Sequence, residues 1–395
     1  MSTEQTLALW DQELRHGHLR IRDGDGGKTI EVAGLTLTSA FNPVYSRAHD
    51  RPVGHRASIR VVSTDGKAIE ARAELERRDA LGRSAALAPA LHMSNYRIQV
   101  AEPGWLMLSV QPVAVAQSSL WPPLPQDLFS STLYAPKDIV LEVPVDASSV
   151  AQIEDFTRYH QALGFLVAIS DFGRHHADIA AVWQIRPDLV NIPLRAVQAS
   201  AKRNHGRALS ALCKVLHESG VMVALHGIDD KSDLEIALHT EADLFEGTHA
   251  RLAGETPLEY ARREATTEPR AALEDALEAI ARGRTFESAC EHLLNTAGVL
   301  RCYLLDASGT QIADNLSPVG LHSDPRYWPL ANAIGASWAH RAYFRSAAAH
   351  PGQVIRTGPY FSLPDGCHCL TLSIARDVGG QSLVLCCDLA EAETG

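Results

Sequence analysis

No apolar run in this chain approaches the ~20 residues that a membrane-crossing helix needs. An excess of positive charge is missing too, since 36 Lys and Arg stand against 47 Asp and Glu for a formal net charge of −11. That balance argues against a sequence-independent nucleic-acid binder, which needs a basic surface to displace counterions. A regular cysteine framework is also lacking. Seven cysteines is an odd number without even spacing, and this fits a reducing compartment. Residues Met1–Gln12 are polar and acidic, unlike a secretory signal. The expected address is the cytoplasm, with no membrane span and no nucleic-acid partner.

What is present is enough apolar material for more than one core. At 46% hydrophobic and 21% charged, 395 residues suit two or three globular domains. Leu7, Trp10, Leu14 and Leu19 have helical spacing and predict a leading helix over residues 4–20. From Thr29 the rhythm is that of strands: Ile30–Val32, Leu35–Phe41, Ala57–Val62 and, further on, Leu106–Val110. Ser63-Thr64-Asp65-Gly66 reads as a hairpin turn, and Trp121–Pro125 as a proline-rich loop. Strands and helices then alternate. Strands are expected at Ile139–Val143, Phe165–Ile169, Leu189–Ile192, Val221–Leu225 and Leu244–Phe245, with helices at Ser149–Leu163, Leu209–Ser219 and Asp230–His239 between them. Such alternation implies a parallel sheet, and roughly eight strands favour a closed barrel.

Within this region the stretch Gly164–Arg195 has the form of a βαβ unit. Its first strand ends in Ser170-Asp171-Phe172-Gly173 and its second carries Asn191. Chemistry in parallel α/β folds sits at the C-terminal ends of strands, so Asp171 and Asn191 stand where a ligand would be met. Taken alone, Ser170–Gly173 also fits a plain strand-to-helix turn with Asp171 near an N-cap. Beyond Pro269 the character changes. Arg270–Arg284 is a strong helix, and a hairpin follows, with Val299–Leu305 and Gln311–Asp314 as its arms. A helical middle over Pro329–Ala349 and three late strands, Gln353–Arg356, His368–Ile374 and Ser382–Asp388, complete a small α+β plan.

From about Phe41 to Leu258 the landmarks resemble, in order, those of the EAL family of cyclic-di-GMP phosphodiesterases. Phe41-Asn42-Pro43-Val44 is similar to Phe-Gln-Pro-Ile, and Gly54–Arg60 to Gly-x-Glu-Ala-Leu-x-Arg. Leu108–Gln111 resembles the strand ending in a ligand Asn, and Leu141–Pro144 resembles Leu-Glu-Ile-Thr. Ser170–Gly173 stands at Asp-Asp-Phe-Gly, Pro187–Pro193 at Pro-Asp-x-Ile-Lys-Ile-Asp, Val223–Asp229 at Ile-Ala-Glu-Gly-Val-Glu, and Glu246-Gly247 at Gln-Gly. The resemblance implies an α/β modified TIM (β/α)8 barrel over 37–262, a lead-in with its helix over 1–36, and a linker helix over 263–285. A smaller α+β PAS/Cache-like sensor domain over 286–395 completes the expected arrangement.

In that family two divalent metals activate water for in-line attack on a phosphodiester. Carried over by position, Glu142 and Asp171 keep the family identity. Arg56, Gln111, Ser170, Asn191, His226 and Glu246 replace the motif Glu, the ligand Asn, the first Asp, the Lys, the second Glu and the terminal Gln. Six of these eight positions are therefore altered, and the resemblance implies a vestigial site with no catalytic residue, metal or cofactor. The expected function is a non-enzymatic regulator in cyclic-di-GMP signalling, either a docking surface or a metal-independent receptor. Asn42, Arg56, Arg60, Glu142 and Asp171 are the candidate ligand contacts, because guanidinium pairs bidentately with phosphate. Arg56 could instead seal the pocket by pairing with Glu142 or Asp171. The alternative function is a divergent phosphodiesterase drawing metal ligands from Glu142, Asp171, Glu246 and His226. The resemblance also implies a homodimer, and no protein partner can be named from the sequence.

Residues 286–395 resemble a PAS/Cache sensor through Trp338–Phe344, Pro359-Tyr360, Thr371 and Asp388. That pattern implies a small ligand held by Arg341, Tyr343, Tyr360 and Asp388. The plain alternative is an Arg341–Asp388 pair among core aromatics. Cys302, Cys367, Cys369, Cys386 and Cys387 fall on neighbouring strands, but zinc needs four converging ligands. Strand alternation throws Cys386 and Cys387 to opposite faces, so reduced core thiols are expected there. His175-His176 are adjacent and diverge on a helix, which suits a polar loop or cap.

Overall fold

The computed structural model describes residues 20–24, 27–32, 35–63, 68–69, 83–110, 115, 134–144, 149–173, 179–195, 205–250, 269–318, 324–362 and 367–390. The expected leading helix up to residue 19, the turn over 64–66 and the loop over 121–125 lie outside them. Contacts divide the chain into two compact units, Met1–Val44 with Pro52–Pro193, and Tyr45–Arg51 with Leu194–Gly395. Among the described residues no helix is long and apolar enough to cross a membrane.

The chain opens with β1 (Arg20–Gly24), β2 (Gly27–Val32), β3 (Leu35–Ser46), β4 (Arg51–Ser63) and a short β5 (Ala68–Ile69). Next come α1 (Arg83–Gln99), β6 (Trp105–Ser109), β7 (Ile139–Pro144), α2 (Val150–Ala162), β8 (Leu166–Ser170), α3 (Ile179–Ile185) and β9 (Leu189–Pro193). The alternation continues through α4 (His205–Glu218), β10 (Met222–His226), α5 (Lys231–Leu238) and β11 (Leu244–Glu246). Because β3 pairs with both β11 and β4, the order β3-β4-β6-β7-β8-β9-β10-β11 closes into a ring. This is the eight-stranded barrel that the strand–helix alternation predicts. The β4–β6, β6–β7, β7–β8, β8–β9 and β10–β11 pairs are parallel. Only four residues join β3 to β4, too few for a crossover, so that pair is antiparallel.

Strands buried on both faces need continuous apolar sequence, and β8 and β9 are buried at every position. The helices need one apolar stripe. In α2 the buried residues are Ile153, Phe156, Thr157 and His160, a spacing of three and four. Its first turn is closed by a capping box between Ser149 and Gln152. Replacing Ser149 by alanine is expected to cost about 1 kcal/mol, read as a lower midpoint in urea unfolding. Periodicity gives no sign of α1, since Pro89 lies inside it and argues against a helix. Tertiary packing overrides that bias, because Leu91, Met93 and Tyr96 are buried and Asn95 bonds both the Lys28 amide (2.6 Å) and carbonyl (2.8 Å) of β2.

The C-terminal region is built from α6 (Arg270–Ala281), α7 (Phe286–Leu294), β12 (Val299–Leu305), α8 (Ala342–Ala349), β13 (Ile355–Ser362), β14 (Cys367–Val378) and β15 (Gln381–Ala390). Its four strands form an antiparallel sheet in the order β12-β15-β14-β13. Leu273 and Leu277 of α6 and Leu293 of α7 pack on one face with Cys302, Leu372, Leu385 and Cys387. Tyr343 and Phe344 of α8 cover the other with Tyr303, Val384 and Cys386. Cys386 and Cys387 thus take opposite faces, as strand alternation requires. The expected helical middle over 329–349 shrinks to a 3-10 turn at Pro325–Leu330 and the short α8, because the chain between them takes turns around Gly335. The expected strand at Gln311–Asp314 is also corrected, since only isolated bridges such as Leu305–Gln311 form there.

Candidate functional site

In the first unit, Arg56 of β4, Glu142 of β7 and Asn191 of β9 come together. Arg56 stands beside Met107 in the β4–β6 register, and Glu142 beside Ser109 in the β6–β7 register. The Arg56 guanidinium reaches Glu142 Oε1 at 2.8 Å, with the Arg56 side chain 18% exposed and that of Glu142 only 1%. Asn191, fully buried on β9, donates from Nδ2 to the same Oε1 at 2.6 Å. Asn191 Oδ1 has no hydrogen-bond partner among the described residues. One carboxylate oxygen therefore serves two donors, one of them cationic.

Ser170 ends β8 and is buried, and Asp171 follows with φ of 56°. Few residue types accept that left-handed conformation, and the short polar Asp is one of them. The turn is tied to β9 where Phe172 N donates to Asn191 O at 3.0 Å. Asn42 and Arg60 are exposed on β3 and β4. Gln111, His175 and His176 lie outside the described residues.

The second unit holds His226 and Glu246, which are register partners across β10 and β11. Glu246 is buried, and Gly247 follows with φ of 148° and room for no Cβ, which would stand 2.1 Å from the Ile228 carbonyl. No group of three or more His, Cys, Asp or Glu among the described residues is arranged to hold a metal ion.

The four expected sensor residues separate into two networks. Asp388 is fully buried and accepts from Arg301 Nε (2.7 Å), Thr371 Oγ1 (2.7 Å) and Tyr303 Oη (3.2 Å). Tyr360 joins through Thr371 at 3.4 Å, and Tyr343 lies edge-on to Tyr303. Burial drives the Tyr303 and Tyr360 phenols well above their ordinary pKa, reinforced by the Asp388 charge. Arg341 is elsewhere. It donates to Asp243 Oδ1 at 2.6 Å, so the Arg341–Asp388 pair read as the plain alternative is corrected. The partner of Asp388 is Arg301.

Asp243 is the residue that sequence reasoning missed. Its other oxygen accepts from His217 Nε2 at 2.7 Å and from Val223 N at 2.9 Å. Burial pushes its pKa up, but His217 and Arg341 outweigh that and hold it below the ordinary value. A signal for it exists. Asp188-Leu189 and Asp243-Leu244 each open a barrel strand, and Asp188 Oδ2 likewise accepts from the preceding strand at Val167 N (2.8 Å).

One hollow of about 460 Å³ lies beside β4, lined by Phe41, Pro52, His55 and residues 99–102, and none of the expected site residues lines it.

A family model of the EAL domain matches residues 31–251. No curated protein matches the chain by sequence. Solved structures with a related fold include a Bacillus subtilis protein, YkuI, with an EAL domain, in complex with substrate c-di-GMP and calcium. It is 15% identical with a TM-score of 0.42, over 90% of this chain and 96% of that one. An EAL domain protein from Listeria monocytogenes is 18% identical with a TM-score of 0.44, over 53% of this chain and 85% of that one. Klebsiella pneumoniae BlrP1, in a manganese and cyclic-diGMP complex, is 16% identical with a TM-score of 0.43, over 59% and 57%.

Proposed function

The chain belongs to the EAL-domain family, and on that premise we propose that it is a non-enzymatic regulator in cyclic-di-GMP signalling. The observation that carries this reading is the contact of Arg56 with Glu142 at 2.8 Å. A pair of divalent ions needs several oxygen donors per ion in near-octahedral sets. Around Glu142 Oε1 the neighbours are instead a guanidinium and an amide N–H, which compete for the same lone pairs. A fixed positive charge ~4 Å from a divalent ion would repel it by roughly 8 kcal/mol at an effective dielectric near 20. These residues do not fit the metal pair of the family.

The same guanidinium suits a different task. Cyclic-di-GMP carries two phosphate charges, and an arginine that neutralises Glu142 can also turn toward an oxyanion, because its planar fork has donors to spare. In this reading Arg56 and Arg60 take phosphate, and Asn42, Glu142 and Asp171 border the ligand. The barrel over 37–262 serves as receptor or docking surface in a cytoplasmic homodimer, and 286–395 serves as a PAS/Cache-like sensor. Its buried Arg301–Asp388–Tyr303–Thr371 network leaves Asp388 to structure rather than to a ligand.

Calorimetry with cyclic-di-GMP, with and without Mg²⁺, tests the proposal. Heat that is independent of Mg²⁺ and is lost with Arg56→Ala is expected of a receptor. Silence in both titrations leaves the docking role. Hydrolysis of the dinucleotide overturns the non-enzymatic reading and restores the divergent enzyme.

A further inference from the structure

The turn of the first barrel hairpin does not cluster with the strands it joins. Tyr45–Arg51 falls in the second compact unit, with Leu194–Gly395. Its bonds say why. The Arg47 guanidinium donates to the carbonyls of Leu238 (2.8 Å) and Thr240, closing the C-terminal end of α5, where a cation is favoured. Arg47 N donates to Asp243 O at 2.9 Å, and Asp243 is the residue that binds Arg341. Further contacts come from the C-terminal region. Ser337 N donates to Ala48 O, Trp338 lies edge-on to the His49 ring at 6.0 Å, and Arg51 Nη2 donates to Pro329 O at 2.8 Å. Segment 329–341 thus grips the turn at Ala48, His49 and Arg51.

The gripped turn runs without a break into β4, and Arg51 and Arg56 are five positions apart on that one strand. A strand advances about 3.3 Å per residue, close to the longest span its covalent geometry allows, so it has little slack along its axis. A displacement of Arg51 along that axis is therefore carried toward Arg56 through extended backbone. We infer that the β3–β4 turn is a control element, through which a change in segment 329–341 resets Arg56 against Glu142 and so the anion affinity of the barrel. The affinity part of this inference rests on the receptor reading above, whereas the mechanical part does not. Coupling of this kind is reciprocal, so a change at Arg56 must also be felt in segment 329–341.

Amide hydrogen exchange of the full chain, read by mass spectrometry, tests both directions. In His49→Ala with Arg51→Ala, peptides covering 53–57 are expected to exchange roughly tenfold faster, the loss of about one buried hydrogen bond, while α2 is unchanged. Arg270→Ala, which removes a bond to Val354 O (3.0 Å) in the same unit but away from the turn, should leave 53–57 as in the wild type. In the other direction, Arg56→Ala should speed exchange in 325–341 by about fivefold or more relative to the β14–β15 sheet. A turn that is merely structural would not carry that second effect. Unchanged exchange of 53–57 in the double variant, equal acceleration by Arg270→Ala, or an unmoved 325–341 in Arg56→Ala would each overturn the coupling. Cyclic-di-GMP affinity should fall by about fivefold in the double variant. A wild type that binds no dinucleotide defeats the receptor reading and leaves the exchange results to decide the coupling.

Discussion

Arg56→Ala is expected to lower the unfolding free energy by roughly 3–5 kcal/mol, the usual cost of leaving one partner of a buried ion pair uncompensated. The two partners are not equivalent. With the Glu142 side chain 1% exposed and that of Arg56 18% exposed, the carboxylate has no route to water while the guanidinium has one. Removing the arginine should therefore cost more than Glu142→Gln, which keeps an oxygen for Asn191 Nδ2. Combining Arg56→Met with Glu142→Gln should recover most of the loss, since apolar or neutral replacement of a whole buried pair is often close to neutral. Urea unfolding of the four proteins measures this. A cost below about 1 kcal/mol for Arg56→Ala would mean that Glu142 is neutralised by something other than Arg56.

Lowering the pH from 7.5 to 5 is expected to remove about 2 kcal/mol of stability for each of His49 and His92. Burial lowers the His49 pKa to about 4, assisted by Arg51 and opposed by the carbonyls of Leu330 and Asn332. Burial alone takes His92 to about 4, with its ring bonded to Ser39 Oγ at 2.9 Å. Between pH 6.5 and 4 the unfolded chain binds a proton at each position and the folded chain does not. Stability is therefore complete above the unfolded pKa and falls as pH drops through that window. Burial, assisted by Arg47, Arg341 and Arg345, holds the His340 pKa well below its ordinary value and acts in the same direction. His49→Gln and His92→Gln should each flatten the stability profile between pH 7 and 5, whatever they do to its height. A profile of unchanged slope would show that the rings meet water.

Much of the barrel was legible from pattern. The runs at 139–143, 165–169 and 189–192 are apolar at every position but Glu142 and Asn191 and show no alternation, as suits strands buried on both faces, and they became β7, β8 and β9. The opposite faces of Cys386 and Cys387 followed from strand geometry alone. α1 was illegible because Pro89 speaks against a helix locally, while the burial of Met93 and Tyr96 that favours it is a long-range fact. The candidate site divides in the same way. That Glu142 is a lone charge on an otherwise apolar barrel strand was plain, but the choice of Glu142 by Arg56 depended on the registers of β4, β6 and β7. Arg341 and Asp388 were set together by the PAS/Cache resemblance, and the fold gave each a partner from farther off in sequence. Asp243 is 98 positions from Arg341, and Arg301 is 87 from Asp388.

By itself, then, the amino-acid order determined the alternation of elements, the eight-stranded ring and which residue types stand at the strand ends, since each is written in local periodicity or residue type. Only the tertiary structure decided which charge neutralises which. A buried ion is stable only beside an opposite charge within a few ångströms, and that distance is set by strand register and by which turn packs on which helix, neither of which any single stretch of sequence contains.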